Sequence, residues 1–159
     1  MPVVEAVPPR WPDVRAGRGH YESYFLRAVH PTEPRGVWIR YTVSIPPGGT
    51  ASGQLWCTLF DRGTPRPQAV RVDAGEPAAG AAAWIRLGDS TFGPDEVVGA
   101  AGTARWELRA TSDQSVLRHL PREWMYRARL PRTKLMSLTP SAVFDGVLEV
   151  DGETIEVAG

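Results

Sequence analysis

Apolar and polar residues alternate along most of this chain with a period of two. Val37, Ile39, Tyr41 and Val43 fall on one side of an extended segment, and Trp38, Arg40 and Thr42 on the other. That period marks a half-buried strand. Comparable runs occupy 20–29, 37–45, 53–61, 68–74, 82–92 and 103–111. Most of them end in Pro and Gly, as at Pro46-Pro47-Gly48-Gly49, where regular pairing stops. Two shorter alternating runs lie within 142–158 around Asp151-Gly152, a dipeptide suited to the positive φ angles of a type I′ hairpin turn.

No window sustains a helical period. The nearest approach is 115–126, which Pro121 limits to a turn. Pro2, Pro8, Pro9 and Pro12 make 1–19 an extended lead-in, and 20–159 reads as one β-domain. Gly- and Ala-rich segments such as 97–104 read as connections between strands. Strands succeeding one another with turn chemistry between them predict an all-β, antiparallel fold. Their length, about 30 Å for nine or ten residues, suits a calycin-type barrel or a sandwich with long strands and little helix.

The two sides of these strands differ in chemistry. Val37, Ile39, Tyr41 and Val43, with Leu55, Cys57 and Leu59, form an apolar side fit for a core. The opposite side carries Trp38, Arg40 and Thr42, then Gln54, Trp56, Thr58 and Phe60. Trp84 and Arg86, opposite Ile85 and Leu87, repeat the Trp-Ile-Arg triplet. Tyr24 and Glu22 can join the mixed side, although Tyr21 and Phe25 leave the parity of the first strand open. A dry core would not accept unpaired arginines, and a solvated face rarely holds this many tryptophans. Two readings stand side by side: a pocket wall for a hydrophobic small molecule, and an interface to a second β-domain or subunit. The ligand-binding candidates are Tyr24, Trp38, Arg40, Gln54, Trp56, Trp84 and Arg86, with Glu22 as the nearest counter-ion for Arg40.

Composition narrows the rest. The chain has 159 residues, and 18 Lys plus Arg balance 18 Asp plus Glu. This neutrality gives no support for a general grip on nucleic acid or an anionic membrane. One cysteine, Cys57, gives no disulfide framework, and its parity makes it a small core residue. No signal-peptide pattern and no membrane-spanning run is found, so a cytoplasmic protein is expected. His20, His30 and His119 lack metal-ligand spacing, and neither metal nor cofactor is expected. Gly88-Asp89-Ser90 lacks the flanking glycines of a nucleophile elbow. Arg132 and Lys134 within 131–135 read as part of a connection.

The segments His-Tyr-Glu-Ser-Tyr-Phe-Leu-Arg-Ala-Val (20–29), Val-Trp-Ile-Arg-Tyr-Thr-Val-Ser-Ile-Pro (37–46) and Gly-Gln-Leu-Trp-Cys-Thr-Leu-Phe-Asp (53–61) resemble the N-terminal part of a bacterial lipocalin-like family. So does the run from Leu117 to Val157. The family is similar to the tocopherol cyclase and hydroxyneurosporene (carotenoid) hydratase superfamily. The resemblance implies two consecutive lipocalin-like β-domains and an isoprenoid, polyene or lipid-like ligand. It also implies cofactor-free hydration or cyclisation in the catalytic members. It would make Glu22 the acid, with Tyr24 and Trp38 beside it. The sequence ends at Glu-Val-Ala-Gly, so the resemblance covers the first domain only, and a cavity shared between domains would be incomplete.

Overall fold

A computed structural model describes residues 7–80 and 82–158; the first six residues of the predicted lead-in lie outside it. The chain is all-β, with antiparallel sheets. Four long strands come first: β1 (His20–Val29), β2 (Arg35–Ile45), β3 (Ser52–Asp61) and β4 (Gln68–Gly75). They form a four-stranded meander in sequence order. A second sheet is built from β5 (Pro77–Ala78), β6 (Ile85–Leu87), β7 (Ser90–Phe92), β8 (Glu96–Ala101) and β9 (Ala104–Thr111). The ladder β10 (Leu117–Arg118) with β11 (Met136–Ser137) interrupts it. Then β12 (Val143–Val150) and β13 (Glu153–Ala158) complete seven strands in the order β13-β12-β9-β8-β7-β6-β5. Neither large sheet closes into a barrel. Among the described residues, no helix is long and apolar enough to cross a membrane.

The sheets face each other across one core. Val37, Ile39, Tyr41 and Val43 point inward from β2, as their alternation predicts, and meet Val97, Trp106 and Leu108 of the other sheet. Burying each large side chain is worth about 1.5–3 kcal/mol. One polar group bolts the layers together. The Trp106 indole donates to the Tyr41 hydroxyl (2.9 Å), which donates to the Val98 carbonyl (2.6 Å). Tyr41 is fully buried, so a hydroxyl without partners there would be costly. Burial lifts its pKa well above the usual phenol range. Cys57 lies in the same core, and burial pushes its thiol up to about 11.

Three elements depart from expectation. The run 82–92 is two strands, β6 and β7, folded at Gly88-Asp89. The Gly- and Ala-rich segment taken as a connection contains β8, whose small residues answer a packing need. A Cβ at Gly99 would lie 2.5 Å from the Tyr41 hydroxyl and 2.7 Å from the Trp106 ring. The lead-in also contains a 3-10 helix, Trp11–Asp13, which inserts Trp11 into the core. The hairpin at Asp151-Gly152 is formed as predicted: φ is 52° and 84° at the two residues, and Val150 pairs with Glu153.

Candidate functional site

The outer side of the four-stranded sheet gathers the aromatic and cationic residues. Register places Phe25, Arg40, Trp56 and Arg71 in one row across β1, β2, β3 and β4, so ring and guanidinium alternate. In the next row Arg27 stands opposite Trp38. The Arg27 guanidinium lies 5.4 Å from the Trp38 ring centre, that of Arg40 lies 5.6 Å from the same ring, and that of Arg71 lies 5.1 Å from Trp56. Phe25 meets Trp38 edge-on at 6.3 Å. Arg40 is steadied by the Ser23 hydroxyl (2.8 Å) and the Tyr21 hydroxyl. Gln54 donates to Asp73 (2.8 Å), the one carboxylate on this side of the four strands. The indole Nε1 atoms of Trp38 and Trp56 are both buried and without a hydrogen-bond partner.

Of the predicted site residues, Trp38, Arg40, Gln54 and Trp56 therefore share one surface. Tyr24 and Trp84 lie elsewhere. They stack in the core at 6.3 Å and 17°, with Phe92 against both. Trp84 stands one position before β6, its N–H donating to the Phe92 carbonyl, and its ring turns inward. Arg86 is exposed on the other sheet, so the two Trp-Ile-Arg triplets meet different environments.

Glu22 is not the counter-ion of Arg40. It points to the inner side of β1, opposite Val43, whereas Arg40 faces outward opposite Phe25. Its carboxylate accepts from the Tyr24 hydroxyl (2.5 Å), the Trp11 N–H (2.9 Å), the Arg10 N–H (3.2 Å) and His20 Nε2 (3.0 Å). That set ties the lead-in to β1. Burial, with Glu22 alongside, drives the Tyr24 hydroxyl far above its ordinary pKa.

No family model, curated protein or solved structure matches the chain.

The outer side of the seven-stranded sheet has the opposite charge balance. Glu96, Glu107, Asp145, Glu149 and Glu156 face outward there, against Arg86, Arg105 and Arg109. A shallow open depression of about 320 Å³ lies on it, lined by Asp89, Arg105, Glu107 and Glu149 among others. A cleft of about 30 Å³ lies where the β1–β2 turn approaches β13. Among the described residues no three His, Cys, Asp or Glu side chains are grouped so as to hold a metal. Phe25, Arg27 and Arg71, which complete the outer rows, were not singled out from sequence. Arg71 was legible in the alternation of Val-Arg-Val-Asp, but Phe25 and Arg27 required the unresolved parity of β1.

Proposed function

We propose that the chain is a lipocalin-like β-domain that acts as an interaction module, docking a second β-domain on the outer side of its four-stranded sheet. The observation that carries this reading is the row Phe25–Arg40–Trp56–Arg71 with Arg27–Trp38 beside it. Aromatic residues and arginine are the side chains that concentrate binding energy at protein interfaces. None of Arg27, Arg40 and Arg71 has a carboxylate partner among the described residues, so their guanidinium groups are free to meet one on a partner. The fitting partner surface is acidic and rich in acceptors, such as the outer side of this chain's own seven-stranded sheet. A second copy is thus a partner of the required chemistry.

A hydrophobic small molecule, the other function raised by the sequence, would sit against this same face and be closed in by the partner. A cleft of about 30 Å³ holds roughly one water, far less than an isoprenoid. Hydratase- or cyclase-like chemistry at Glu22 has weaker support, because that carboxylate already accepts from four residues.

Sedimentation velocity over a concentration series tests the docking reading. Association should appear at low salt and weaken as salt rises. Trp56→Ala and Arg40→Glu should each raise the dissociation constant at least tenfold, with unchanged circular dichroism. A chain that stays monomeric to near-millimolar concentration in low salt, with Trp38 and Trp56 open to a quencher throughout, would overturn the proposal.

A further inference from the structure

We infer that the long connection between β9 and β12 is a docking loop for an anionic lipid bilayer. Charge in this chain is segregated rather than sparse. From 117 to 138 the sequence holds Arg118, Arg122, Arg127, Arg129, Arg132 and Lys134 against Glu123 alone. The segment carries +5, so the rest of a neutral chain carries −5. Overall neutrality therefore hides a basic segment.

The same loop exposes large apolar side chains. Trp124 is 63% exposed and Leu130 66%, with Leu117 and Leu135 near half. The backbone beneath them is braced from within. The Tyr126 hydroxyl accepts from the Leu120 N–H (2.9 Å) and donates to the Leu135 carbonyl (3.0 Å). The Lys134 ammonium donates to the carbonyls of Ala128 (2.9 Å) and Pro131 (2.6 Å). Ser112 ties down Pro140 (2.8 Å), and Arg10 reaches the Tyr126 carbonyl (3.4 Å). Polar groups thus fold the loop onto itself and leave Trp124 and Leu130 outside. Arg122, Arg127, Arg129 and Arg132 are exposed, and none has a carboxylate partner among the described residues.

A surface of exposed Trp and Leu among cations matches an anionic bilayer in both respects. Its headgroups take the guanidinium groups, and its interface takes the apolar side chains. Single-stranded nucleic acid would use the cations and Trp124 but has no use for exposed leucines. An acidic protein face would use the cations, but two protruding leucines would need a pocket to receive them.

Flotation of the full chain with vesicles of mixed phosphatidylcholine and phosphatidylserine tests this, with pure phosphatidylcholine as control. Binding is expected on the mixed vesicles only. Arg127→Gln with Arg129→Gln should weaken it about 30-fold, near fivefold per charge. Trp124→Ser with Leu130→Ser should abolish flotation while leaving the circular dichroism and the urea midpoint unchanged. Both double variants alter exposed side chains that brace nothing. The inference would be overturned by equal binding to neutral vesicles, by no binding to either, or by tighter binding of a single-stranded RNA lost in the same arginine variant. Self-association abolished by the serine variant would do so too, because it would assign the loop to a second copy.

Discussion

Replacing Tyr41 by Phe removes one oxygen atom and nothing else. That oxygen accepts from Trp106 of β9 and donates to the Val98 carbonyl of β8 while standing on β2. The two partners differ in burial: Trp106 is 1% exposed and its indole stays buried after the change, whereas Val98 is only partly buried and lines the open depression on that sheet. Leaving the buried indole donor unpaired costs about 1–3 kcal/mol, and the partly buried carbonyl adds less because water can reach its side of the sheet. The variant no longer has to bury a hydroxyl, which offsets part of that. The net destabilisation should be about 1–3 kcal/mol, a sizeable share of the roughly 5–15 kcal/mol typical of a domain. For a chain of this size the melting temperature should fall about 2–12 °C. Urea unfolding followed by tryptophan fluorescence measures it, with the slope unchanged. Trp106→Phe alone and with Tyr41→Phe closes a double-mutant cycle, and the pair should be strongly non-additive. A loss below about 1 kcal/mol, or simple additivity, would refute the view that this hydroxyl fastens the sheets.

Two further outcomes test the core. Cys57 has its thiol pushed from 9.0 up to about 11, so the folded state holds that proton more tightly than the unfolded one. Its contribution is complete below pH 9 and is lost as pH rises through 11, by about 2–3 kcal/mol. Cys57→Val should accordingly lose less stability than the parent between pH 9 and pH 11, and equal alkaline slopes would argue against a buried thiol. Gly99→Ala forces a methyl group against Tyr41 and Trp106 and should destabilise by about 1–3 kcal/mol in the same urea assay, whereas a neutral effect would mean the packing there is loose.

The strands that could be read from sequence are those with one wet and one dry side. In β1 to β4 the alternation is long, and Pro- or Gly-containing turns such as Pro46 to Gly49 end it, so bounds are off by two residues at most. The second sheet was harder. Its β6 and β7 are three residues each, too short to show a period, and apolar residues on both sides of Gly88-Asp89 merge them into one run. In β8 the residues are small because a tryptophan lies over them, and smallness in isolation resembles a linker. Half of the candidate site residues, Trp38, Arg40, Gln54 and Trp56, were legible as one surface because β2 and β3 are neighbours in sequence and in space. Trp84 and Arg86 were misplaced because a shared triplet says nothing about which sheet it joins. The inward turn of Glu22 depended on parity in a strand with aromatic residues on both sides.

The unequal charging of the two outer sheet faces has a consequence at a distance. Arg27, Arg40 and Arg71 stand on one side of the core, and an excess of carboxylates stands on the other. A neutral molecule built this way is an electric dipole. It feels little net pull from a charged object, but it feels a torque that turns it before contact. In dilute salt, where fields reach tens of ångströms, the chain should arrive at an acidic surface already oriented, and added salt should abolish that orientation without altering its fold.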